Sequence, residues 1–91
     1  MAKRHWPQTE ANLAKYAAMR KNLALIPRGK AFGDVNKWLK DNGGSPISLS
    51  MFRQVTAGYK LDKLIYLAIR EVAIHWKARH EFETEQLSEV V

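Results

Sequence analysis

Ser48, Ser50, Arg53 and Gln54 are the residues whose types and spacing could do chemistry in this chain. They lie in the segment ISLSMFRQVTAG, where Phe52 and Val55 recur three apart, as they would along one side of a helix. On that helix Phe52 and Val55 turn inward, and Ser50, Met51, Arg53 and Gln54 stay outside. Hydroxyl, guanidinium and amide groups presented this way are hydrogen-bonding ends rather than reacting groups. Arg53 can fork onto guanine or clamp a phosphate, Gln54 can pair with adenine through its amide, and Ser48 and Ser50 can meet phosphates or base edges. In a chain of formal net charge +6, the partner this chemistry anticipates is double-stranded DNA.

A second set of residues suits the DNA backbone. Arg28 and Lys30 precede the segment that carries the first set, Lys37 and Lys40 project from the helix before it, and Tyr59 and Lys60 follow it. Cations at these positions would neutralise phosphates, which set position and affinity rather than sequence preference. Tyr59 would reach a phosphate through its hydroxyl or cover the helix junction. Lys3, Arg4 and His5 form a basic arm that could enter an adjacent groove.

Other chemistries find little support. There is no cysteine, which excludes disulfides, thiol catalysis and any cysteine zinc site. His75 and His80 are five apart on one helix and project about 140° from each other, a poor geometry for a shared metal ion. His5 is distant in sequence. Asp62 and Glu71, nine apart, are unlike a catalytic carboxylate pair. No nucleophile elbow, phosphate-binding glycine loop or metal-binding run is present. The expectation is a protein with no catalytic residue, no metal, no cofactor and no small-molecule substrate.

The elements that must position these residues are all helical. Thr9 suits an N-cap after Pro7, and the pattern from Glu10 to about Leu25 places Leu13, Tyr16, Ala17, Leu23 and Ala24 on one face, with Arg20 near its edge. Pro27 and Gly29 end that helix. A second runs from about Lys30 to Asn42, or from nearer Asp34 if that residue caps it, and turns Val35, Trp38 and Leu39 to one side. Asn42-Gly43 is its stop. After the turn GGSPIS, Ser48 caps a third helix, Ile47 could staple onto Phe52, and Gly58 ends it. A fourth helix, from about Leu61 to Glu83, gathers Leu61, Leu64, Ile65, Ala68, Ile69, Val72 and Trp76 in an arc of about 140°. Trp38 and Trp76 fall on apolar faces and read as core. Leu67 and Ile74 lie on a separate stripe and are candidate dimer contacts. The tail EFETEQLSEVV is acidic, with fraying expected beyond about Glu85. The fold class is all-α: one four-helix domain over residues 1–91, with a flexible basic arm at 1–8, a helix-turn-helix at 32–60, a long C-terminal helix and an acidic frayed tail at 84–91.

Bulk properties agree with this reading. Ninety-one residues make one small domain, and 46% hydrophobic with 26% charged content fits a folded globule. Residues 1–60 hold eleven Lys/Arg against three Asp/Glu, net +8, and residues 61–91 hold four against six, net −2. That asymmetry suggests a basic working body and an acidic tail. No run approaches the roughly 20 apolar residues of a membrane span, and MAKRHWPQTE lacks the apolar stretch of a secretory signal. The expectation is a cytoplasmic protein with no membrane partner.

The succession FGDVNKWLKDNG, ISLSMFRQVTAG and YKLDKLIYLAIREV resembles the small helix-turn-helix DNA-binding proteins of phages and mobile elements, of lambda-repressor-like pattern. Leu39 and Gly43 match the first helix and its end, Phe52, Val55 and Gly58 the recognition helix, and Leu64, Ile65 and Ala68 the helix that follows. The resemblance covers about residues 29–75. It implies that Ser48, Ser50, Arg53 and Gln54 contact bases in the major groove, and that the protein regulates transcription by occupying a DNA site, with pairing into a homodimer common among such proteins. One departure is a turn between Leu39 and Phe52 a few residues longer than the compact form, which can swing the second helix relative to the first. The competing reading is a helical protein-interaction module, antitoxin-like or a phage-encoded inhibitor, working through the acidic tail or the Leu67/Ile74 stripe. Single-stranded RNA binding is a weaker fit, because its modules rely on aromatics displayed on a sheet.

Overall fold

Four helices form in order: α1 (Glu10–Ala24), α2 (Ala31–Asp41), α3 (Leu49–Thr56) and α4 (Lys63–Val90). The computed structural model describes residues 6–90, with side chains through residue 84. The architecture is all-α, with no strand among the described residues. No described helix is long and apolar enough to cross a membrane.

Local signals account for the helix ends. Thr9 caps α1, its hydroxyl accepting from the Asn12 N–H at 3.2 Å. Ser48 caps α3 in the same way, accepting from the Met51 N–H at 3.1 Å. α2 stops where Gly43 turns to φ 81°, and the Gly44 N–H closes on the Leu39 carbonyl at 2.7 Å. At the start of α4 the Asp62 carboxylate accepts from the Ile65 N–H at 3.0 Å. That cap moves the start of α4 two residues past Leu61, where periodicity alone would begin it.

Met19, Ile26, Val35, Leu39, Phe52, Val55, Ile65, Ala68, Ile69, Val72 and Ala73 form one core, and α4 packs against both α1 and α2. Phe32 meets Phe52 edge-on at 5.6 Å between ring centres. Trp38, Trp76 and Ile47 are partly buried against this cluster, as their apolar faces suggested.

Several details depart from the sequence pattern. The inner face of α1 is Tyr16, Met19 and Leu23, while Leu13, Ala17 and Ala24 are exposed. Alanines gain little from burial, so they define a face weakly, whereas one Met19 fills far more core volume. On α4 the buried arc is rotated: Ala73 is inside and Leu64 is half exposed. Asp34 is not the cap of α2. It sits in the first turn, and its carboxylate accepts from the Trp76 indole N–H at 2.7 Å. α4 continues to Val90 rather than ending near Glu83. No glycine or proline follows Gly58 in the sequence to break it.

The expected arm at 1–8 is interrupted at Trp6. That indole is buried, packs on Tyr16 at 6.3 Å, and donates to the Gly58 carbonyl at 2.9 Å. Lys3, Arg4 and His5 lie outside the described residues.

Candidate nucleic-acid interface

α3 has only eight residues, a length that is marginal as an isolated helix. Its orientation depends on what holds it. Inward it anchors Phe52, Val55 and Thr56 in the core. At its N-terminal side the Asn36 amide on α2 grips the backbone of Ile47 twice. Its carbonyl accepts from the Ile47 N–H at 2.8 Å, and its NH2 donates to the Ile47 carbonyl at 3.1 Å. The long GGSPIS turn is thereby pinned to α2 just before Ser48.

At the C-terminal end the backbone is gripped from α1 and from the N-terminal segment. The Arg20 guanidinium donates to the Thr56 carbonyl at 3.2 Å, and the Tyr16 hydroxyl donates to the same oxygen at 3.5 Å. Trp6 holds the next carbonyl but one, that of Gly58. The turn there needs glycine twice over. Its φ is 92°, and an added Cβ would lie 3.1 Å from two ring carbons of Tyr16.

The polar edge of α3 remains open. Ser48, Ser50 and Arg53 are exposed, and Gln54 is partly so. The Gln54 NH2 donates to the Ser50 hydroxyl one turn earlier, at 3.2 Å, which holds the amide along the helix. Ser48 is committed to its capping role through one lone pair of its hydroxyl, yet stays accessible. Ser50, Arg53 and Gln54 thus share one side of a short helix tied at both ends, with Ser48 at its N-terminal tip.

The candidate phosphate contacts are more dispersed. Arg28, Lys30, Lys37, Lys40 and Lys60 are all exposed, and Tyr59 is 37% exposed. Lys40 is one helical turn from Asn36, on the side of α2 that meets the turn before α3. Lys37 instead lines the groove between α2 and α4, beside Asp34, Asp41, Glu71 and Trp76, so it stands apart from the rest. Arg28 and Lys30 occupy the turn between α1 and α2, and Lys60 follows Gly58. Another cationic surface, which the sequence pattern did not single out, is the groove between α1 and α4, lined by Lys15, Lys63 and Arg70 with Tyr66 and Leu67.

Asn36, Arg20 and Trp6 were not expected to matter for the site. Arg20 had a faint signal in its place at the edge of the apolar face of α1. For Asn36 and Trp6 the partner is a backbone atom distant in sequence, which no local pattern encodes. Leu67 and Ile74 are 40% and 49% exposed. His75 and His80 are exposed on α4. Among the described residues no group of three or more His, Asp or Glu is placed to hold a metal ion. No protein-family model, curated protein or solved structure matches this chain.

Proposed function

We propose that this protein binds double-stranded DNA with sequence preference through α3, and acts as a transcriptional regulator of the phage or mobile-element type by occupying its site. The observation that carries this reading is the open edge formed by Ser50, Arg53 and Gln54 on a helix buried through Phe52 and Val55 and clamped at both ends. Base readout needs donors and acceptors held at fixed positions on a helix narrow enough for the major groove. The net charge of +6 supplies the general attraction to phosphates.

Selection of bound duplexes from a random pool, followed by titration of the enriched duplex at several salt concentrations, tests the proposal. An enriched motif bound with a steep salt dependence supports it. A pool that stays random, or binding indifferent to salt, refutes it. The alternative, a protein-interaction module without DNA specificity, draws on a different observation: Leu64, Ile74 and Phe82 lie exposed along α4. That reading expects only weak, sequence-blind attraction to DNA in the same titration.

A further inference from the structure

α1 and α4 leave between them a groove of about 320 Å³, at the small end of the range for ligand sites, about 300–1,000 Å³. Each helix gives it one strip of side chains. On α1 the strip includes Lys15, Met19 and Asn22, and on α4 Lys63, Tyr66 and Arg70, all at helical spacing. Met19 is only 2% exposed, so the groove reaches down to the core. Tyr66 is partly buried, and Lys15, Lys63 and Arg70 are exposed.

The charge of this groove is of one sign. No carboxylate lines it. Among the described residues Lys15, Lys63 and Arg70 make no ion pair and no side-chain hydrogen bond, and the Asn22 amide makes none either. The groove between α2 and α4 is the contrast, because Lys37 and Arg79 share it with Asp34, Asp41 and Glu71. A cleft with cations on its rim and apolar walls concentrates counter-ions, and here the fold supplies none of its own. A DNA duplex is far too broad to enter a space between two neighbouring helices. It would touch the rim alone and leave Met19 and the Tyr66 ring unused.

We propose that the groove between α1 and α4 binds a small aromatic anion, a phosphate or carboxylate carried on a flat apolar body. The charged end lies among Lys15, Lys63 and Arg70, with the Asn22 NH2 as a further donor, and the apolar body rests on Met19 and the Tyr66 ring. The site stands independently of DNA reading by α3: either can fail without the other.

The test is a titration of the isotope-labelled protein at low salt, with amide shifts followed by NMR. The probes are naphthyl phosphate, naphthoate, inorganic phosphate and naphthalenemethanol. Saturable shifts at Met19, Asn22, Tyr66 and Arg70 are expected from at least one of the two aromatic anions. Inorganic phosphate lacks the apolar body and naphthalenemethanol lacks the charge, so both should bind severalfold more weakly. Lys63→Gln and Arg70→Gln should each weaken the aromatic anion severalfold. Leu67→Glu, which sets a carboxylate on the groove wall, should abolish its binding. Lys77→Gln removes an exposed cation of α4 that lies outside the groove and should change nothing. Circular dichroism verifies that these surface variants keep their helix content. Absent or scattered shifts, equal binding of either control probe, or equal effects of Lys77→Gln and Arg70→Gln overturn the proposal. Shifts at the same amides from duplex DNA, with none from naphthyl phosphate or naphthoate, assign the cations to a nucleic-acid backbone and overturn it as well.

Discussion

Replacing Gly58 by alanine separates two costs that usually arrive together. The first is conformational: at φ 92° an L-residue crowds its own backbone, for about 1–2 kcal/mol. The second is steric: the new Cβ would meet the Tyr16 ring at 3.1 Å, with its hydroxyl oxygen at 3.2 Å. Tyr16 cannot swing away freely, because it packs on Trp6 and its hydroxyl bonds to the Thr56 carbonyl. Crowding a packed site of this kind adds about 1–2 kcal/mol. Gly43 provides the comparison, since its φ is 81° and a Cβ there would meet nothing within 4 Å. Gly43→Ala should therefore cost only the conformational part, and Gly58→Ala about 1–2 kcal/mol more. Urea titrations followed by circular dichroism give both values, read from midpoints at unchanged m. Equal losses for the two variants would refute the claim that Gly58 is needed for close approach to Tyr16 as well as for its turn.

Other outcomes follow from the same contacts. Asn36→Ala removes both bonds to Ile47 and should cost about 2 kcal/mol, at ~1 kcal/mol per bond, measurable in the same titration; a loss within error would mean the turn is held without that amide. Trp76→Phe keeps an aromatic ring but removes the donor to Asp34, and should lower stability by about 1–2 kcal/mol in a thermal melt. On the enriched duplex, Arg53→Ala should lose about 1–3 kcal/mol at one base position and relax preference there. Lys60→Ala should weaken all duplexes alike and reduce the salt slope by about 1, so a matching loss of discrimination from Lys60 would blur the proposed division of roles.

Much of the fold was legible because its signals are short-range. Thr9, Ser48 and the Asn42-Gly43 stop act within one turn of the residues they cap, and Phe52 with Val55 marks the inner side of α3 three residues apart. Periodicity is less informative where side chains are small. The alanines of α1 drew the expected face away from Met19, and on α4 a ring of apolar residues wider than one face left Leu64 and Ala73 to be settled by which neighbours actually arrive. The two-sided character of α4 is itself the reason its pattern was ambiguous. What no local pattern contained is the set of long-range bonds. Trp6 to Gly58 spans 52 positions, Trp76 to Asp34 42, and Arg20 to Thr56 36. Asp34 looked like a helix cap because aspartate suits that place. Lys30 takes the position without a side-chain bond, freeing Asp34 for the indole.

These bonds also explain how a helix as short as α3 can hold a fixed aim. Phe52 and Val55 supply burial, but apolar contact has little directional preference and would tolerate some roll about the helix axis. The ties at its two ends are directional. Asn36 fixes the backbone entering α3 with a donor and an acceptor at once, and Arg20, Tyr16 and Trp6 fix the carbonyls leaving it. Misplacement of about 1 Å is enough to spoil a geometric constellation. Loosening a tie should accordingly harm discrimination among duplexes before it harms general attraction, because exposed lysines and arginines keep their charge however α3 is rolled. The Asn36→Ala variant thus carries a signature that simple instability would not produce: at a temperature where it remains folded, its affinity for the enriched duplex falls towards its affinity for random duplex, while the salt dependence of both stays as it was. Equal weakening on the two duplexes would show that the clamp stabilises the domain without aiming the helix.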